Sequence, residues 1–213
     1  MADADPSNPP TPALPTDSKD VAWVAVPAYQ SPDELARMVG DVEMMFRLNP
    51  YWIFSKWRKT GPDSFHAEFK NESNGQNIVV DIAVVSGPGR GVTASYNQGL
   101  KKRTFLTAEP FGEGSRLLVV DDYESLPEAD REARLAEVDK SLKAWGESLR
   151  VYFLRMRRYG WIPGWKGYMR RIWGKMTPSG RRIVWWIYII TVAEFFFFLF
   201  VLAIWVLEQD KPL

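Results

Sequence analysis

The 213-residue chain has no cysteine and a single histidine, His66. The first absence excludes disulfides, thiolate nucleophiles and cysteine-based zinc or iron–sulfur centres. The second excludes metal sites built from several imidazoles and leaves any Ser-His-Asp arrangement dependent on His66 alone. Strand alternation groups His66 with Glu68 and Lys70, opposite Phe65, Ala67 and Phe69, so His66 is expected to face solvent. Gly87-Pro88-Gly89-Arg90-Gly91 lacks the Lys-Ser/Thr of a phosphate loop and reads as a hairpin turn. Asp81, Asp121, Asp122 and Glu124 lie in or beside strands, but alternation alone does not say which face is interior, so no acid–base pair emerges. No catalytic residue, metal ligand or cofactor is assigned, and a non-enzymatic domain is expected. The opening MADADPSNPPTPALP has neither a basic nor an apolar region, so a signal peptide is not expected. Internal repeats are also lacking.

One stretch lacks polar residues almost entirely. Ile183 to Leu207 is 25 consecutive positions whose only ionisable group is Glu194, near the midpoint. About 20 apolar residues cross the hydrocarbon core, so 25 span it with some tilt. An acid at the helix centre costs roughly 2.5–3.5 kcal/mol on the insertion scale, whereas each Leu, Ile, Phe or Val returns roughly 0.3–0.6. Seventeen such residues are present, returning about 5–10 kcal/mol, so insertion is expected despite Glu194. Trp185, Trp186 and Tyr188 stand near one end and Trp205 near the other, as rings at two headgroup levels would. Six residues follow Leu207, so a single-pass, tail-anchored protein is expected. An intramembrane carboxyl group marks function by default, and Glu194 is expected to meet a partner helix from another chain.

Between Arg150 and Arg182 it is acid that is missing. The segment carries ten basic residues and no Asp or Glu, in a chain of net charge +1, so the remainder, at +1 less those ten, carries −9. A basic cluster beside a span holds its side in the cytoplasm and attracts anionic headgroups. The N-terminal domain is therefore expected in the cytoplasm and the C-terminus on the opposite side. With the cluster against the span, phospholipid is the expected polyanion and nucleic acid is not. Trp165, Tyr168, Met169, Ile172, Trp173 and Met176 form one helical face, with Lys166, Arg170, Arg171 and Lys175 around it and Arg181 and Arg182 next to the span. That pattern predicts an amphipathic helix in the headgroup plane.

The rest divides as follows. Residues 1–19, with five prolines, read as a disordered tail. Val21 to Pro27 reads as a strand. Ser31-Pro32-Asp33-Glu34 is a capping box opening a helix that ends at Asn49-Pro50. From Tyr51 to Tyr123 the period is two, with five Gly-containing turns, predicting about six antiparallel strands. A second capping box, Ser125 to Glu128, opens a long helix to about Tyr159 with a stripe at Leu135, Val138, Leu142, Trp145, Leu149, Tyr152 and Met156. The segments expected are thus 1–19 tail, 20–159 domain, 160–180 juxtamembrane helix, 181–208 transmembrane helix and 209–213 tail.

This order, carried by VAWVAVPAYQSPDELARMVGDVEMMFRLNP and by hairpins ending in SRLLVVDDYES, resembles the SRPBCC family, also called START-like or polyketide-cyclase/lipid-transport proteins. The resemblance covers roughly Asp20 to Tyr159. It implies an α+β helix-grip fold, about seven curved antiparallel strands on a long C-terminal helix, enclosing a cavity for lipids, quinones or polyketides. Tyr51, Trp52, Phe54, Trp57, Phe65, Phe69, Tyr96 and Phe105 are the candidate lining. The expected function is membrane-tethered, non-enzymatic binding of a hydrophobic ligand, with an accessory subunit of a larger membrane complex as the alternative and a cyclase-type enzyme as a third, minor reading.

Overall fold

The computed structural model describes residues 20–87, 89–123 and 140–209. The expected Pro-rich tail, the second capping box, Glu124, Leu135 and Val138 lie outside them. The chain forms two units, residues 1–174 and 175–213.

In the first unit β1 (Val21–Ala28) leads to α1 (Pro32–Val39) and α2 (Val42–Arg47). Six strands follow: β2 (Trp52–Gly61), β3 (Ser64–Asn71), β4 (Gln76–Ser86), β5 (Gly91–Tyr96), β6 (Lys101–Phe111) and β7 (Gly114–Tyr123). They form one antiparallel sheet in the order β1-β7-β6-β5-β4-β3-β2. Because each of β2 to β7 pairs with its neighbour in sequence, short turns suffice, and Gly75 (φ 77°) and Gly112 (φ 55°) supply left-handed backbone in two of them. α3 (Leu142–Tyr159) follows.

Ser31 caps α1 as the sequence predicts, its Oγ accepting from the Glu34 amide at 3.2 Å. The single helix expected from there to Asn49 is instead two. Gly40 propagates a helix poorly, and the Asp41 side chain accepts from the Met44 amide at 3.3 Å, opening a new helix.

One face of the sheet carries the core. Val26, Ala67, Val80, Ile82, Ala94, Leu106, Leu117 and Val119 are buried beneath Phe46, Trp145, Leu149 and Phe153 of the helices. Trp145 is fully buried and its Nε1–H donates to the Met45 carbonyl at 2.9 Å, so the largest core side chain has its polar atom satisfied. α3 lies close to β1: a Cβ on Gly146 would stand 2.9 Å from Val24 Cγ2. Trp145, Leu149 and Tyr152 of the predicted stripe are buried.

The opposite face holds a smaller cluster of Phe105, Leu118 and Val120. The strand period of two puts Phe105 there because Thr104 and Leu106 point inward. Phe105 is therefore corrected from lining the cavity to packing behind the sheet.

The predicted juxtamembrane helix is shorter than expected: α4 (Trp165–Arg171) is followed by a 3-10 turn, Trp173–Lys175. Met169 is buried in the main core, and Trp165, Tyr168 and Trp173 pack against it. Gly174 is buried beside Met44. Part of the aromatic face assigned to the headgroups, Trp165 and Trp173 included, thus packs against the domain's own core, while Ile172 is 50% exposed. An amphipathic stripe states that one face needs an apolar partner without stating which. Arg170 pairs with Asp41 at 2.8 Å, while Lys166, Arg171 and Lys175 are exposed.

In the second unit α5 (Pro178–Gln209) is one 32-residue helix with no buried residue. Its 25-residue stretch Ile183 to Leu207 rises about 37 Å at 1.5 Å per residue, enough to cross a hydrocarbon core of about 30 Å. Glu194 is exposed midway, and Arg181 and Arg182 stand in its first turn and a half.

Candidate functional site

The site begins with a bulge. β2 pairs β3 with Phe54 opposite Phe69 and Lys56 opposite Glu68, so Ser55 is an extra residue. An extra residue shifts the alternation by one, which lets Trp52, Phe54 and Trp57 share the inner face although Phe54 and Trp57 are three apart. A continuous aromatic layer results. Trp52 lies 4.9 Å from Phe69 and 5.5 Å from Trp145, Phe54 lies 4.9 Å from Phe69, and Trp57 lies 5.4 Å from both Phe54 and Phe65. Phe46 ties the layer to Tyr96, the rings stacking at 6.4 Å.

At the end of the sheet formed by the β3–β4 and β5–β6 turns, this layer opens into a pocket of about 100 Å³. Trp52, Phe69, Ile78, Val80, Tyr96, Leu100 and Tyr123 provide apolar surface, and Asn71, Asn74, Gln76, Gln98 and Lys101 provide polar groups. Of the candidates from sequence, Trp52, Phe69 and Tyr96 line it. Phe54, Trp57 and Phe65 continue the same layer beyond it, and Tyr51 is 40% exposed just before β2.

Sequence reasoning missed the polar wall. The Asp121 side chain is fully buried, and Lys101 Nζ donates to its Oδ2 at 2.7 Å. Thr104 Oγ1 donates to Asp121 Oδ1 at 2.6 Å and accepts from the Tyr96 hydroxyl at 2.9 Å. Lys101 Nζ also sits 5.0 Å over the Trp52 ring. A buried carboxylate is costly unless paired and hydrogen-bonded, and here both oxygens have a donor. The pairing of Thr104 with Asp121 across β6 and β7, read with buried Leu117 and Val119, is what turns Asp121 inward. Asp122 takes the other face and meets Arg103 at 2.8 Å.

The buried indole N–H groups of Trp52 and Trp57 have no acceptor among the described residues. Such donors are uncommon in folded proteins. That of Trp52 belongs to a pocket-lining residue.

His66 lies outside this site on the outer face, its Nδ1 2.7 Å from Asp81 and its Nε2 3.2 Å from Glu68. Hydrogen bonding to Asp81 first, then to Glu68, raises its pKa above 6.5.

The antiparallel seven-stranded sheet with α3 packed against it has solved counterparts. The Zhui aromatase/cyclase from a Streptomyces species superposes with a TM-score of 0.52 at 13% identity, over 67% of this chain and 98% of that one. The fold is the START-like helix-grip fold. A START superfamily protein from Mycobacterium smegmatis is 19% identical with a TM-score of 0.47, over 64% of this chain and 97% of its own. The di-domain aromatase/cyclase StfQ of the steffimycin pathway is 13% identical with a TM-score of 0.46, over 65% of this chain and 52% of its own. No protein-family model matches the sequence, and no curated protein matches it. The comparison corrects one expectation. A helix-grip domain is not thereby non-enzymatic, because an aromatase/cyclase has this fold.

Proposed function

We propose that the domain takes up the ring-bearing end of a hydrophobic, oxygen-containing molecule, of quinone or polyketide type, while α5 tethers it to a membrane with the domain in the cytoplasm. The observation that carries this reading is the pocket in which Trp52, Phe69 and Tyr96 meet the Lys101–Asp121 pair. Small-molecule sites combine apolar walls with a few convergent polar groups. Lys101 and the Asn and Gln side chains of the lining are polar, so the complementary ligand carries oxygen atoms beside its ring. A volume of about 100 Å³ suits roughly one ring, since an engineered cavity of about 150 Å³ holds benzene. The ten basic residues from Arg150 to Arg182 support the cytoplasmic side.

Organic extraction of the full chain purified in mild detergent, followed by mass spectrometry, tests this. A ring-bearing molecule should be recovered, and Trp52→Phe or Lys101→Met should deplete it while circular dichroism is unchanged. Recovery of nothing, together with no quenching of tryptophan emission by added short-chain quinones, would sink the reading.

Glu194 favours a second role. An exposed carboxyl group at the middle of an apolar helix is expected to find a partner in protein, and a subunit of a larger membrane complex would supply one. Glu194→Ala should then lose a stoichiometric companion on gentle purification while remaining in the membrane.

A further inference from the structure

We propose that the turn joining α3 to α4, led by Trp161 and Ile162, is the domain's contact with an anionic bilayer surface. This rests on the tethering reading above and replaces Trp165 and Trp173 as the membrane-facing aromatics. Trp161 is 79% exposed and Ile162 37% exposed. The Trp161 ring is nevertheless held, because its Nε1–H donates to the Arg158 carbonyl at 3.0 Å. A large apolar ring fixed in an exposed position gives up little conformational freedom when it enters an interface, and Trp is enriched at the headgroup level.

The surroundings are cationic. Arg158 precedes the turn, and the Lys166 side chain lies across it, its Cε 3.6 Å from where a Cβ on Gly160 would be. No carboxylate pairs with Arg158, Lys166 or Arg171 among the described residues. Each Lys or Arg near an anionic surface adds about 1 kcal/mol of attraction. The chain itself names the occupant. Only Lys175, Met176 and Thr177 separate Gly174, buried in the domain, from Pro178, the first residue of α5. Extended chain spans at most about 3.6 Å per residue, so an inserted α5 keeps the domain at the lipid surface.

The absence of native cysteine makes a single-site label clean. The full chain carrying Trp161→Cys, labelled with an environment-sensitive fluorophore, is reconstituted in phosphatidylcholine vesicles with or without phosphatidylglycerol. Tyr51→Cys is the control, because Tyr51 adjoins Asn49, which bonds Ser141 at the start of α3, whereas Trp161 follows its end, about 27 Å along the helix. Expected are a blue shift and loss of most iodide quenching at position 161 with phosphatidylglycerol, reversed by added salt or by Arg158→Glu with Lys166→Glu. Equal quenching at 161 and 51, or protection independent of lipid charge, overturns the proposal. Release of the chain by alkaline carbonate would sink the tether alone, since a protein held only by its surface still protects the label.

Discussion

Lys101 Nζ stands 2.7 Å from Asp121 Oδ2 in a pair whose side chains are 13% and 0% exposed. Truncating one partner of such a pair strands the other charge, whereas removing both restores an apolar wall. Asp121→Ala should therefore destabilise the domain by about 3 kcal/mol. Combining it with Lys101→Met should recover most of that loss. Urea unfolding of the four variants in a double-mutant cycle measures the coupling, and simple additivity would contradict a direct pair.

The contact between α3 and β1 leaves no room for a methyl group. Gly146→Ala places a Cβ 2.9 Å and 3.3 Å from the two Cγ atoms of Val24, and a β-branched neighbour has few rotamers to retreat into. The substitution should cost about 1–3 kcal/mol despite alanine's better helix propensity. Val24→Ala in the same chain should relieve part of it. Thermal melts of the single and double variants decide.

Trp145 joins aromatic packing against Phe46 and Trp52 to its hydrogen bond with Met45. Trp145→Ala should cost about 3–5 kcal/mol. Trp145→Phe keeps a ring and should cost less, with the Met45 carbonyl keeping only the Leu48 amide of its two donors. Chemical denaturation monitored by circular dichroism ranks the two.

His66 gives the outer face a pH dependence. Its folded pKa is raised above 6.5 by Asp81 and Glu68, so the stabilisation is fully present below the unfolded value and is lost as pH rises through the folded one. The midpoint of its imidazole resonances should exceed 6.5 and return towards it in Asp81→Asn. Nuclear magnetic resonance titration reads this directly, and a midpoint at or below 6.5 in the parent chain would contradict the pairing.

Much of the fold is legible in the sequence because local chemistry and global structure agree. Ser31 and Glu34 announce a helix start, and the Ser31 cap is present. The alternation at Phe65, Ala67 and Phe69 predicts an inner face, and Ala67 and Phe69 are buried there. The site is only half legible. Trp52, Phe69 and Tyr96 are conspicuous as aromatics in strands, but the bulge at Ser55 and the inward turn of Asp121 depend on pairing with β3 and β6. Those registers belong to the facing strand of each hairpin and do not show in the alternation of one strand alone.

The sequence alone therefore determined an apolar C-terminal helix of membrane-spanning length, the strand order with its turns and the Ser31 cap, and the exclusion of cysteine and multi-histidine chemistry. Composition and period suffice for these because they depend on neighbours along the chain. Tertiary structure alone decided which faces are interior. It sent Phe105 behind the sheet, packed Trp165 and Trp173 against the core, left Trp161 outside, and placed Asp121 against Lys101 beside Trp52. A side chain's periodicity says that it needs a partner, and only the packing of distant elements says whether that partner is protein, ligand or lipid.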